Sequence, residues 1–118
     1  MMLTLYMYKG CDCCRKAAQF LDGRGLDYTA IPILEQPPTR DELRTMLDAQ
    51  DGNIRKLFNT AGVRYRSLNL KEKLPGLSRE EQLDLLAGDG GLVKRPFLIG
   101  PGVCLVGFAA AAWESALS

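Results

Sequence analysis

Three cysteines within four positions are the residues of this chain best suited to do chemistry. Cys11, Cys13 and Cys14 lie in the stretch YKGCDCCRKA, in a chain of 118 residues that contains no histidine. Thiols this close together can carry out redox chemistry, bind a metal or pack as small apolar side chains. The C-x-x-C spacing of Cys11 and Cys14, followed by a βαβ pattern, favours a redox pair.

The other two readings of the cluster stay open, although the metal reading lacks ligands. Zinc usually takes four ligands, and outside the cluster the chain offers only Cys104. Cys104 begins the last predicted strand, beside a tight turn and away from the cluster. We expect it to be an inert, small residue of the hydrophobic core.

The predicted start of a helix just after Cys11 gives the two thiols of the C-x-x-C pair different roles. Free backbone N–H groups and the helix dipole at that terminus would stabilise the Cys11 thiolate and lower its pKa. Cys14 falls one turn later on the apolar face, so Cys11 should attack a disulfide and Cys14 should resolve it. Nearby basic residues should add positive charge around the thiolate: Lys9, Arg15 and Lys16.

Cys13 does not fit this pairing. A helical position two residues after Cys11 points to a different face, and a disulfide between the adjacent Cys13 and Cys14 would be strained. We expect Cys13 to be a bystander or a site of secondary oxidation.

The elements around the cysteines form a βαβ unit. The run LTLYMY, residues 3–8, reads as a buried strand, and LDYTAIPI, residues 26–33, reads as a second strand. The stretch between them predicts a helix that ends near Gly23, with four residues on one apolar face: Cys14, Ala17, Ala18 and Leu21. Strand, helix and strand over this length imply parallel strands and a right-handed crossover.

The middle of the chain, about residues 35–90, reads as a helical insertion. The stretch GNIRKLFNTAG predicts a short helix that ends at Gly62. Two capping boxes, each a Thr or Ser followed three residues later by Glu, mark the starts of longer helices: Thr39 with Glu42 and Ser78 with Glu81.

The end of the chain returns to a sheet. The stretch RPFLIGPGVCLVGF predicts a hairpin that turns at Gly100-Pro101-Gly102, and FAAAAWESAL predicts a closing helix. The fold expected is α/β with a mixed sheet, in the order βαβ–helical insertion–ββα. The length fits a single domain over residues 1–118.

Composition excludes several classes of function. The formal net charge of +1 argues against direct, nonspecific binding of nucleic acid, which needs a basic excess. The longest apolar run, residues 103–113, is shorter than the roughly 20 residues of a membrane span. The first residues show no basic leader or cleavage site, so we expect a cytoplasmic location, where clustered cysteines are seldom structural disulfides.

Several motifs together resemble the arsenate reductase/Spx family of thioredoxin-fold proteins. They are the strand followed by CDCCRKA, then LFNTAGVRYRSLNL, the late KRP and the closing LVGF, and they span nearly the whole chain in order. The resemblance implies a thioredoxin-like, glutaredoxin-like fold with a helical insertion. It also implies that Pro96 follows a cis peptide bond beside the cysteines, and that Arg95 stabilises a thiolate or a substrate anion.

The same resemblance implies three functions in order of expectation. The first is a thiol–disulfide oxidoreductase that uses Cys11 and Cys14, holds no bound cofactor and is reduced by glutathione, glutaredoxin or thioredoxin. The second is an Spx-type redox-sensing regulator that binds the C-terminal domain of the RNA polymerase α subunit, with Gly52 in the contacting loop. Glutaredoxin-dependent arsenate reduction comes third, because Arg95 matches only one of that group's three oxyanion-binding arginines, and Asn59 and Gly107 stand at the others.

Overall fold

The computed structural model describes residues 2–117 and begins with the predicted βαβ unit. Strand β1 (Leu3–Met7) leads into helix α1 (Asp12–Gly23), which returns to strand β2 (Tyr28–Pro32). The two strands pair in parallel, from Leu3 opposite Tyr28 to Met7 opposite Pro32. Since parallel strands end at the same edge of a sheet, the loop that carries Cys11 lies beside the end of β2.

The segment between β2 and β3 is helical, as predicted. Both capping boxes are present, and each Glu side chain accepts from the backbone N–H of the N-cap residue. The helices are α2 (Arg40–Ala49), α3 (Val63–Ser67), α4 (Leu70–Lys73) and α5 (Arg79–Gly88), joined by 3₁₀ turns at Ile54–Leu57, Leu74–Gly76 and Gly90–Leu92.

The chain closes with the predicted hairpin and helix. Strands β3 (Phe97–Gly100) and β4 (Val103–Val106) pair antiparallel, and α6 (Ala110–Leu117) follows. Gly102 has φ +73° in the connecting turn, a conformation that favours glycine. The strand order β2-β1-β3-β4 gives a mixed sheet, with β1 parallel to β2 and antiparallel to β3. The predicted α/β, thioredoxin-like fold is confirmed.

The prediction of a helix that ends at Gly62 is wrong. The 3₁₀ helix stops at Leu57, and Phe58 leaves it in an extended conformation to form a β-bridge with Val93. The backbone N–H of Lys94 donates to the Leu57 carbonyl at 2.7 Å. These hydrogen bonds to a distant segment satisfy the backbone better than a further helical turn would, so the helix ends early.

Strand β1 is buried on both faces and separates two hydrophobic clusters. Tyr6 packs with Phe97 and with the helices of the insertion on one face. Leu5 packs with α1 and with Trp113 of α6 on the other. Burial of a leucine side chain contributes about 1.5–3 kcal/mol to the free energy of unfolding, relative to leaving it exposed. The buried side chains on each face of β1 therefore stabilise the helices packed against that face.

No helix within residues 2–117 is long and apolar enough to span a membrane.

Helix α1, which includes Cys14, has 12 residues and is amphipathic. Cys14, Ala17 and Leu21 are buried, while the neighbouring positions are exposed or half-buried. Its length suits a helix that covers one face of a sheet of short strands.

A hydrogen bond ties the sheet to the insertion. The Tyr6 hydroxyl, on β1, donates to Oε1 of Glu42 on α2 at 2.6 Å. Tyr6 is only 3% exposed, and burial together with the Glu42 carboxylate raises the pKa of its hydroxyl above the ordinary value.

We expect Tyr6→Phe to lower the free energy of unfolding by about 1–2 kcal/mol, because it removes a buried hydroxyl that donates to a carboxylate. Urea unfolding measures the change. Tyr28→Phe is the matched control, since the Tyr28 hydroxyl donates to Asp22 at 3.2 Å in an exposed position. We expect a change within about 0.5 kcal/mol for that control. Equal losses in the two variants would contradict the prediction.

Candidate active site

Cys11 is the N-cap residue of α1. Its backbone is extended, with φ −100° and ψ 116°, and its sulfur accepts a hydrogen bond from the backbone N–H of Cys14, with N and S 3.4 Å apart. The side chain is partly accessible to solvent. The thiol therefore takes the place of the oxygen that usually caps a helix, where free N–H groups and the helix dipole favour a negative charge.

Cys14 lies one turn further along α1 and is completely buried. Its sulfur receives a backbone hydrogen bond from Tyr8, the residue just after β1, and also interacts with the side chain of Cys11. A buried thiol held beside an accessible one is the arrangement in which the second sulfur can displace a partner from the first.

Arg95 and Pro96, in the segment directly before β3, are the other two residues predicted for the site. The Arg95–Pro96 peptide bond is cis, as the resemblance implied. The Arg95 guanidinium interacts with Cys11 both as a hydrogen-bond donor and through its charge. Cys11, Cys14 and Arg95 thus lie close together, with Pro96 next to Arg95 in the chain, although Cys14 and Arg95 are far apart in the sequence.

The surroundings of Cys11 lower its pKa below the value of an ordinary thiol. Partial burial is the largest single influence and raises the pKa. Hydrogen bonds from the Cys14 side chain and backbone, with the positive charge and hydrogen bond of Arg95, together outweigh it. Each of these favourable contacts is stronger for a thiolate than for a thiol, so Cys11 is the group that ionises.

Cys14 is shifted in the opposite direction. Burial, with the nearby Cys11 sulfur, raises the pKa of Cys14 to about 12. The first proton to leave the pair therefore comes largely from Cys11. The proton that remains on Cys14 can then donate to the Cys11 thiolate.

The positive charge that acts on Cys11 comes from Arg95, as the resemblance implied. The sequence neighbours Lys9, Arg15 and Lys16, which were expected to add to it, are not among the influences on the pKa of Cys11. Arg15 forms an ion pair with Asp12 on the exposed surface of α1.

The remaining cysteines lie outside this pair. Cys13 is exposed on α1. Cys104 packs against the hydrophobic cluster on the insertion side of the sheet, opposite α1, and burial raises its pKa. Within residues 2–117, no three His, Cys, Asp or Glu side chains are grouped so that they could hold a metal ion.

Tyr8 is a member of the site that the sequence analysis did not select. Its ring lies under the Arg95 guanidinium, with 4.8 Å between the guanidinium carbon and the ring centroid. This is a cation–π contact, which favours a guanidinium held over the ring. In the sequence, Tyr8 closes the apolar run before Lys9-Gly10, and that pattern suggested only packing within the strand.

We expect Arg95→Gln to raise the pKa of Cys11, because it removes a positive charge that favours the thiolate. The pH dependence of iodoacetamide alkylation at Cys11, followed by mass spectrometry, measures the shift. Arg15→Gln is the control, since Arg15 contacts Asp12 and not the thiol. An unchanged titration midpoint in Arg95→Gln, or an equal shift in the control, would show that Arg95 does not stabilise the thiolate.

The sequence and the structure of this chain are similar to those of several known proteins. A model of the ArsC family matches residues 6–116. The Bacillus subtilis protein YusI, which is uncharacterized, is 46% identical over 108 residues, 92% of each chain. The crystal structure of an ArsC-family-related protein from Bacteroides fragilis is 38% identical, covers 98% of both chains and superposes with a TM-score of 0.90.

Two more distant relatives carry functional names that differ. An arsenate reductase of Rhizobium meliloti is 30% identical over 101 residues, 86% of this chain and 71% of its own. The global transcriptional regulator Spx of Listeria innocua is 27% identical over 107 residues, 91% of this chain and 80% of its own.

Proposed function

The chain belongs to the ArsC family, and we propose that it acts as a thiol–disulfide oxidoreductase with two working cysteines. Cys11 is the nucleophile and Cys14 is the resolving residue. Arg95 stabilises the Cys11 thiolate, and Pro96 shapes the wall of the site. We place this activity in the cytoplasm, where the pair would be regenerated by a thiol reductant such as glutathione, glutaredoxin or thioredoxin.

The reaction follows from the different ionisation of the two thiols. The Cys11 thiolate attacks one sulfur of a substrate disulfide, forms a mixed disulfide and releases the other substrate sulfur as a thiolate, which takes up a proton. Cys14 then loses its proton and attacks the Cys11 sulfur. This step releases the second substrate thiol and leaves a Cys11–Cys14 disulfide, so two electrons pass from the protein to the substrate.

One observation carries the proposal: the accessible thiol has a lowered pKa and the buried thiol next to it has a raised pKa. A protein that works with a single reactive cysteine would need only the lowered pKa of the accessible thiol. The raised pKa of the buried thiol keeps the resolving sulfur protonated while the Cys11 thiolate is free, because burial and the Cys11 charge both raise the pKa of Cys14. Formation of the mixed disulfide removes the second of these influences.

We expect Cys11→Ser to abolish reduction of a disulfide substrate, and Cys14→Ser to accumulate the mixed disulfide at Cys11. Cys13→Ser, on the same helix, should keep the wild-type rate and is the matched control. Mass spectrometry after alkylation identifies each species. In the wild type, redox titration should find a reversible Cys11–Cys14 disulfide between roughly −270 and −180 mV, the range from thioredoxin to isomerase-type pairs. Activity in Cys11→Ser would refute the assignment.

Arsenate reduction has less support from the site. Of the three positions that carry arginine in the arsenate reductase group, only Arg95 has a guanidinium here. Gly107 has φ +71°, where a side chain is strained, and Asn59 offers an amide in place of a charged fork. A multiply charged oxyanion is held best by several guanidinium groups, so this site should hold one weakly.

A second candidate function is redox-gated binding to the C-terminal domain of the RNA polymerase α subunit. The similarity to Spx and the C-x-x-C pair favour it. Gly52, which the resemblance places in the contacting loop, lies between α2 and the following 3₁₀ helix, and its carbonyl accepts from Arg79 at 3.2 Å. The loop is therefore held against α5 in a defined position.

A pull-down with the isolated polymerase domain separates the two candidates. An Spx-type regulator should retain the domain stoichiometrically in one redox state and turn over disulfides poorly. We expect this protein to turn over a disulfide without the domain and to bind it no better when oxidised than when reduced. Redox-dependent, stoichiometric binding would favour the regulator.

A further inference from the structure

A groove with positive charge starts next to the cysteines. A cavity of about 340 Å³ is lined by Cys13 and Arg95 together with Lys94, and Trp113 forms part of its apolar wall. Because Arg95 contacts Cys11 as well as lining this cavity, a molecule bound there would lie beside the reactive thiolate.

A second cavity continues the first. It has a volume of about 380 Å³ and is lined by polar residues that include Arg55, Lys56 and Thr60. Both cavities share Gln50, Lys94 and Val106 as lining residues, so they lie next to each other on the surface. We call this surface, which runs from Arg95 to Lys56, the basic groove.

The backbone explains why distant cations meet along this groove. The β-bridge between Phe58 and Val93 sets the segment before Arg95 against the end of the 3₁₀ helix. The hydrogen bond from the Lys94 N–H to the Leu57 carbonyl, 2.7 Å long, fixes their register. As a result Arg55 and Lys56 line the same groove as Lys94.

The charge of the basic groove is not neutralised within the described part of the chain. No Asp or Glu lines either cavity. The ion pairs among residues 2–117 use other cations: Arg15, Arg24, Arg40, Arg44 and Arg64. A protein with a net charge of only +1 thus has four cations without a carboxylate partner along this groove, of which Arg95 contacts the reactive thiol: Arg55, Lys56, Lys94 and Arg95. Such a field attracts anionic groups.

The shape of the groove favours an extended chain over an enclosed small molecule. Arg55, Lys56, Thr60 and Lys94 are all exposed, so the groove is open along its length. Pockets that select small ligands usually bury most of the ligand surface. An open, charged groove instead suits a peptide segment that enters and leaves it.

We propose that the basic groove selects the substrate of the exchange reaction: a protein disulfide in which acidic residues flank one cysteine. The inference rests on the proposed function and adds its substrate class. The cysteine sulfur lies at Cys11, and carboxylates next to it in the sequence lie along Lys94, Arg55 and Lys56.

The chemistry of the step is ordinary disulfide exchange. The Cys11 thiolate forms a bond to the sulfur of the acidic segment, and the sulfur that leaves takes a proton from water. Cys14 then closes the Cys11–Cys14 disulfide and releases the acidic segment as a thiol. The protein dithiol is oxidised, the substrate disulfide is reduced, and no further reactant takes part in this single turnover.

The first experiment measures binding without chemistry. Short labelled peptides, with serine in place of cysteine, carry either Asp and Glu or the matched Asn and Gln on both sides of the serine. Fluorescence anisotropy gives their affinity for the full, reduced chain. We expect the acidic peptide to bind roughly tenfold more tightly at low salt, with the difference shrinking as salt screens the charges.

Substitutions in the basic groove test whether it causes the difference in affinity between the acidic and the neutral peptide. R55Q/K56Q/K94Q should reduce the preference to within about twofold, since three of the four cations are lost. K71Q/K73Q is the matched control, because it removes two exposed charges from α4, which lines neither cavity. Equal binding of the two peptides, a preference that survives in the groove variant, or an equal loss in the control overturns the proposal. Displacement of the acidic peptide by equimolar glutathione disulfide also overturns it, in favour of a small anionic thiol.

The second experiment follows exchange. The reduced protein is mixed with symmetrical disulfides of the acidic or the neutral peptide, in single turnover. We expect the acidic disulfide to react roughly tenfold faster in the wild type. In the groove variant, the rates with the two disulfides should differ by less than about twofold. Equal rates for the two disulfides in the wild type overturn the substrate class alone, whereas no exchange with either disulfide overturns the proposed function.

Discussion

The burial of β1 on both faces is the constraint on which the rest of the structure depends. Leu5 and Tyr6, adjacent in sequence, point into different hydrophobic clusters, so helices must cover both sides of the sheet. α1 and α6 supply one layer and the insertion supplies the other. The strand between them then ends at Met7, and the reactive thiol follows four residues later. Its position is therefore set by the core and not by the loop alone.

The chemistry of this thiol redox protein depends on the different surroundings of two neighbouring sulfurs. One caps a helix and faces a guanidinium, and the other is buried in the same helix. A single turn of helix is enough to separate a charge-stabilising position from a charge-excluding one. Three segments meet to build this contrast: the end of β1, the start of α1 and the residues before β3.

Local sequence signals were sufficient for much of this arrangement. The βαβ unit, the two capping boxes, the hairpin turn and the cap position of Cys11 each depend on residues within a few positions of one another, so their patterns are visible in the sequence. The pairing of Tyr8 with Arg95 and the bridge of Phe58 to Val93 join segments that are far apart in the chain. No local pattern encodes such contacts. The residues around Cys11 therefore suggested only neighbouring cations, Arg95 came from the family resemblance, and a helix was extended too far.

The complete burial of Cys14 makes access to the pair one-sided. If the proposed Cys11–Cys14 disulfide forms, an external thiol should reach the sulfur of Cys11 and not the buried sulfur of Cys14. Substrate and reductant would then use the same sulfur in turn, the substrate in the reduced protein and the reductant in the oxidised protein, each through its own mixed disulfide. One entrance would serve both half-reactions, and the reduction potentials of the molecules that reach it would decide the direction in which electrons flow.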